Sequence, residues 1–304
     1  MSFLKSLFGS GSNASDEGNK KKNAEKNFDS LKYDGVRALR SGHMDAAISL
    51  LTAARDINDD LECHDYLSQA YTHSDRLPEA LEQLRLLCQA QPDNTAILAR
   101  IADVAYMAED YDTMAEACEK AMALDKDNPA MLFSYARACR GKGDIINAIA
   151  LLTKAITLKP DYGAARLLRG EVLLKMGDAN SASADADALL AQHADNEDVL
   201  MLAARVAEAK GLHDKAIETY GKVIDVNPFC IEAFRERGAI KLASGDTKGA
   251  EDDMRSVLEL NPKATEGISG DYSAEGVEHK VQNAYRSIDP YGIFNKKEGN
   301  DSIK

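Results

Sequence analysis

The chain has 304 residues, 44% of them apolar but only 6% aromatic, with no tryptophan and a formal net charge of −13. Abundant alanine and only 7 prolines favour thin, closely packed helices over sheets. The acidity is concentrated in residues 28–262, which hold 26 Lys and Arg against 40 Asp and Glu, so a phosphate backbone is excluded as a general partner and no nucleic acid is expected. The cysteines, Cys63, Cys88, Cys118, Cys139 and Cys230, are odd in number and form no C-x-x-C pair, which argues against a disulfide framework or a zinc site.

In chain order, the first element is the short stretch "SFLKSLF", whose Phe3, Leu4, Leu7 and Phe8 would form one stripe if helical. Residues 9–27, rich in Gly, Ser, Asn and Lys, cannot bury a core, so residues 1–27 are expected to be a disordered segment with a short amphipathic start. That start reads most simply as a frayed terminus. A docking or membrane-touching role, helped by Lys20, Lys21 and Lys22, is the competing reading. No stretch approaches the roughly 18 apolar residues of a membrane span or the pattern of a signal peptide, so a cytoplasmic location is expected.

From Phe28 to Pro262 the sequence repeats with a period of 34. Turn residues recur at Gly42, Asp75, Glu109, Gly143, Gly177, Gly211 and Gly245. Five positions later stand Ala47, Ala80, Met114, Ala148, Ala182, Ala216 and Ala250, and four further on Leu51, Leu84, Cys118, Leu152, Ala186, Tyr220 and Met254. Pro92, Pro160, Pro228 and Pro262 close four units. Seven units follow: 28–60, 61–94, 95–128, 129–162, 163–196, 197–230 and 231–262.

Each unit divides at its turn into two helices with apolar residues at helical spacing, as in Leu132, Tyr135, Ala136 and Cys139, then Ala148, Ile149, Leu152, Ala155 and Ile156. Glycine at the turn accepts positive φ, and proline stops the second helix. A small residue early in the second helix lets two antiparallel helices approach closely. Neither helix buries its stripe alone, so neighbouring pairs must stack. The fifth unit, with Ala179 and Ala186, is poorly filled. Asp252 and Asp253 are expected on a solvent face.

These units resemble tetratricopeptide repeats, through the alanine and proline series and through Gly35, Gly170 and Gly238 in the first helices, Ala136 and Ala204 as small substitutes, and Tyr71. The resemblance implies an all-α, right-handed superhelical solenoid of antiparallel helix pairs that binds extended peptides or partner helices along its first helices and is not catalytic. It also implies a covering helix after the last repeat. The linker 263–272 delays it, and residues 273–288, with Val277, Val281, Ala284, Tyr285 and Ile288, are expected to form that cap before a flexible tail, 289–304.

The positions that face the groove in such repeats are Arg100, Asp103, Tyr106, Phe133, Arg137, Arg140, Leu167, Leu168, Glu171, Lys175, Met201, Leu202, Arg205 and Glu208. Arg137 and Arg140 lie three apart on one helix, and Arg100 could converge on them. With Tyr106 and Phe133 they suit a peptide bearing a carboxylate and an apolar side chain. Alternatively they pair with Asp103 and Glu171 and only keep the groove soluble. Relatives that hold a C-terminal carboxylate use Lys and Asn slots. Here Lys32 and Arg100 fit, but Val36, Tyr66 and Ala96 do not, so that clamp is not expected.

No catalytic signature is present: "CRGKGD" (139–144) lies in a helix–helix turn without phosphate-binding spacing, and there is no G-x-S-x-G or H-E-x-x-H. No cofactor, no metal and no enzymatic activity are expected. The reading is a scaffold that binds a protein or peptide. The alternatives are a regulatory subunit of an enzyme complex and a membrane-associated assembly factor docking through Phe3–Phe8.

Overall fold

The computed structural model of the protein describes residues 12–261. These residues form fourteen α-helices and no strand. They are α1 (Ser12–Arg40), α2 (Met44–Ile57), α3 (Leu61–His73), α4 (Leu77–Ala90), α5 (Thr95–Met107), α6 (Tyr111–Leu124) and α7 (Pro129–Gly141), then α8 (Ile145–Leu158), α9 (Gly163–Lys175), α10 (Ala179–Leu190), α11 (Glu197–Ala209), α12 (His213–Val226), α13 (Ile231–Ala243) and α14 (Thr247–Leu260). The chain divides into two compact units, residues 1–147 and 148–304. In the first, α1 to α7 pack in chain order, each on the next, and α1 also meets α3 as α5 meets α7. In the second, α9 to α14 do the same, with α9 meeting α11. Stacking of each helix pair only on its neighbours makes this an all-α solenoid.

The turns explain why the units begin where they do. Gly42, Asp75, Glu109, Gly143, Gly177, Gly211 and Gly245 all have positive φ, between 53° and 87°. The aspartate after the turn residue then caps the second helix. Asp110, Asp178 and Asp246 accept hydrogen bonds from the backbone N–H of Thr113, Ser181 and Gly249. Asn94, Asn128 and Asn196 cap first helices in the same way. Gly-Asp is therefore a reversal followed by a cap.

Two turns break the glycine rule, and they should differ in cost. Asp75 has φ 57° and Glu109 has φ 53°. A short polar side chain tolerates the left-handed region better than a longer one. Glu109→Gly is expected to stabilise the first unit by roughly 0.5–1 kcal/mol, and Asp75→Gly by less. Urea midpoints of the two variants, compared with the parent chain, check both the sign and the order.

The core positions are filled by small residues and leucine. Ala47, Leu51, Ala80, Met114, Cys118, Ala148, Leu152, Ala182, Ala216 and Tyr220 are buried. At Gly170 an added Cβ would sit 2.7 Å from Leu202 Cδ2, so the glycine is what lets α9 and α11 meet. Cys63, Cys118 and Cys139 are buried, whereas Cys88 and Cys230 are half-buried. Burial pushes the Cys118 thiol up to about 12, which suits an apolar filler and not a nucleophile.

Three expectations need correction or fall outside. Residues 12–27, expected to be disordered, belong to the 29-residue helix α1. The reason is propagation: the segment has no proline, contains Ala, Glu and Lys, and extends a helix already nucleated by packing on α2. Asp253, expected on a solvent face, is buried and ion-paired, while Asp252 is exposed. The Phe3–Phe8 stripe, the linker 263–272, the cap 273–288 and the tail 289–304 lie outside the described residues.

Candidate functional site

The first unit presents its first helices α3, α5 and α7 side by side at the expected positions. Tyr106 lies in the last turn of α5, and Arg137 one repeat later on α7. The Arg137 guanidinium stacks on the Tyr106 ring, with its central carbon 3.2 Å from the ring centroid, and lies 5.7 Å from that of Phe133. Phe133 is one turn before Arg137 on α7, so the two aromatic rings come from different helices and share one cation. Tyr111, at the start of α6, holds Tyr106 edge-on, with ring centroids 6.5 Å apart and an interplanar angle of 61°.

Electrostatics follow the geometry. Hydrogen bonding to Arg137 holds the Tyr106 phenol below its usual range, with burial opposing and the charge of Arg140 assisting. Asp103, one turn before Tyr106, has its carboxyl pushed up by desolvation, which the charge of Arg137 only partly offsets. Arg137 forms no ion pair among the described residues. The arrangement can therefore offer a charged, planar, pre-oriented donor edge between aromatic faces.

Arg100 does not join this group. Its guanidinium is ion-paired to Asp65 and donates to Ser68 Oγ at 2.5 Å, both on α3. Asp65 had no role in the sequence reading, and it redirects Arg100 toward the preceding repeat. Lys32 is similarly taken: it bonds Asp60 at 2.5 Å and is paired with Glu62. Burial opposes its charge, but these two carboxylates outweigh it and raise its pKa. The cleft beside it, about 540 Å³ and lined by Tyr33, Val36, Arg37, Arg40 and Tyr66 among others, has no free lysine to hold a carboxylate.

In the second unit, Arg205 is saturated. It forks onto Glu236 of the next repeat, with Nε to Oε2 at 2.9 Å and Nη2 to Oε1 at 2.6 Å, and reaches Glu232 at 3.2 Å. Tyr220, with no exposed surface, places its hydroxyl 2.6 Å from Glu236 and 3.0 Å from Glu208. Leu168 and Met201, expected to face a ligand, are instead core residues, as is Leu202. Each lies on the side of its helix that meets neighbouring helices. Leu167 is half-buried beside a core cluster, and Glu171 and Lys175 are exposed.

Sequence reasoning missed two buried ion pairs. Asp185, 1% exposed, accepts from Arg169 Nε at 2.8 Å and Nη2 at 2.7 Å. Asp253 accepts from Arg237 Nε at 3.0 Å and Nη2 at 2.5 Å, with Lys241 at 2.9 Å. Both pairs join the two helices of one repeat at a separation of 16 residues, in the fifth and seventh repeats. That recurring Arg-to-Asp offset was the available signal. Among the described residues there is no group of three or more His, Cys, Asp or Glu able to hold a metal.

The stacked pairs define the class as an α-solenoid built from helix–turn–helix repeats. Residues 140–206 and 197–230 each match the tetratricopeptide repeat family. With seven such pairs in register, the chain is a tetratricopeptide repeat protein. Cellulose synthase operon protein C of Pseudomonas fluorescens is 33% identical over 93 residues, which are 31% of this chain and 7% of that protein. The chain thus spans a small fraction of that relative's length. A tetratricopeptide repeat protein from Parabacteroides merdae has a similar fold, with TM-score 0.66, 15% identity, and coverage of 86% of this chain and 99% of that one. YrrB, a tetratricopeptide repeat protein with an unusual peptide-binding site, aligns with TM-score 0.51 and 13% identity over 68% of this chain and 100% of its own.

Proposed function

We propose that this protein is a non-catalytic interaction scaffold that binds an extended peptide, or a segment of a partner protein, across α5 and α7. The observation that carries this reading is the contrast among its groove arginines. Arg100 and Arg205 are consumed by carboxylates of the protein itself. Arg137 is held flat against Tyr106, next to Phe133, with no carboxylate bonded to it. An arginine fixed by aromatic stacking loses little further freedom when it grips a carboxylate, so the ligand should carry one beside an apolar side chain. Asp103, Arg140 and Phe133 would frame that contact. The peptide-binding site of YrrB, a protein of similar fold, is consistent with this use of the scaffold.

An array of synthetic peptides, with free and amidated C termini and with acidic side chains permuted, tests the reading on the full chain. Captured peptides should lose about tenfold or more in affinity to Arg137→Glu, consistent with loss of one charge-assisted pair. Arg137→Lys should retain part of the affinity, and the circular dichroism of both variants should match the parent. Equal capture by Arg137→Glu, or no capture by the parent chain, overturns the proposal.

A further inference from the structure

A second surface lies at the other end of α1, away from any groove residue. The helix pairs with the 14-residue α2 only over its last turns, from about Phe28 to Arg40, yet it begins at Ser12. The sixteen residues before Phe28 thus project as helix for about 24 Å, at 1.5 Å per residue. Residues 22–27 are all exposed, so no other part of the described chain covers this arm. A surface helix that binds nothing in its own fold is unusual in being retained at such length, because tertiary packing normally supplies helical stability.

The sequence ahead of and along the arm has a character of its own. Residues 1–27 carry a net +2, with Lys5, Lys20, Lys21, Lys22 and Lys26, against a body of −14 over residues 28–262. The stretch that precedes the arm supplies Phe3, Leu4, Leu7 and Phe8 around Lys5. We infer that α1 is a stand-off arm that docks the segment Ser2–Phe8 on an anionic lipid surface, with the arm's lysines meeting the headgroups.

Charge and distance favour lipid over an acidic or neutral partner of other kinds. The −14 body is repelled by an anionic bilayer, and any direct docking of its repeats would work against that repulsion. The arm separates body from tip by about 24 Å, which is about three Debye lengths of about 8 Å at physiological ionic strength. At that distance the body's charge is largely screened at the tip. Basic residues near the surface and a few apolar side chains at the acyl boundary are the two signals that reversible membrane binding needs together. None of the described helices is long and apolar enough to cross a membrane, so the contact would be peripheral.

Co-sedimentation of the full chain with phosphatidylcholine vesicles, with and without phosphatidylglycerol, tests this. The parent chain should bind the anionic vesicles, and high salt should weaken binding. Phe3→Ser combined with Phe8→Ser should reduce binding by about tenfold or more. Lys20→Glu with Lys21→Glu and Lys22→Glu should abolish the preference for anionic lipid. Arg137→Glu, which alters the peptide surface, should bind vesicles as the parent does. Failure of the parent to sediment, or unchanged sedimentation of the serine variant, overturns the inference. So does a lipid-independent change of oligomeric state in the serine variant without vesicle binding, since the segment would then dock on a second copy.

Discussion

Asp185→Ala is expected to lower the unfolding free energy of the second unit by about 2–4 kcal/mol. The carboxylate is 1% exposed and fully engaged by the Arg169 fork, with Arg166 at 3.6 Å. Removing it leaves a guanidinium whose side chain is only 20% exposed and whose remaining neutral partner is Thr153 Oγ1 at 3.1 Å. The lower part of the usual range for a broken buried pair applies, because Arg169 can turn partly toward solvent. Replacing both partners with Arg169→Met and Asp185→Leu should restore most of the loss, since apolar groups of similar volume need no counter-charge. Urea titration followed by circular dichroism reads both values. A loss below about 1 kcal/mol for Asp185→Ala would mean that the pair stabilises little.

Tyr220→Ala should cost about 3–5 kcal/mol, as for other large buried aromatic side chains cut back to a methyl group. Tyr220→Phe separates the causes. It keeps the ring in place and removes only the hydroxyl, which should cost about 1.5–3 kcal/mol because the acceptors are carboxylates. One hydroxyl carries one hydrogen, so the 2.6 Å contact to Glu236 is the main bond and Glu208 at 3.0 Å shares it at most in part. Glu236 keeps Arg205 in the phenylalanine variant, which limits the damage.

The same residue predicts an alkaline effect with a definite sign. Burial, then the charges of Glu236 and Glu208, raises the Tyr220 phenol far above its ordinary value of about 10. The neutral phenol is therefore favoured by folding, and its full contribution is present below about pH 10. As pH rises past that point the unfolded chain ionises at this residue while the folded chain does not, so stability falls. Tyr220→Phe should show a shallower alkaline decline than the parent. A parallel decline in the two chains would place the alkaline sensitivity elsewhere.

Much of this architecture was legible because repeats make their rules visible. The turn residues stand at a period of 34, and each proved to carry positive φ. The small residues at Gly35, Gly170 and Ala136 were legible for the same reason: one requirement recurs in every unit. The reach of α1 was not legible, because Gly, Asn and Ser lower helix propensity while an attached, packed helix supplies the nucleus. At the candidate site, the Tyr106–Arg137 partnership was readable from helix faces alone. The fates of Arg100 and Arg205 were not, since each depends on which acid of a neighbouring repeat lies within reach. Leu168 and Met201 were misplaced because a helix in a stack has several buried sides, and a position number does not say which neighbour covers it.

The two ways of closing charge pairs in the second unit have a consequence for how this chain could be rearranged. The fifth and seventh repeats balance their buried aspartates internally, through Arg169 and Arg237. Each is a cassette whose ionic needs travel with it. The sixth repeat is a keystone instead: Arg205 and Tyr220 both depend on Glu236 of its successor. Duplication or transplantation should therefore be tolerated at the fifth repeat, but excision of the sixth, or recombination just after it, would strand charges on both sides of the cut.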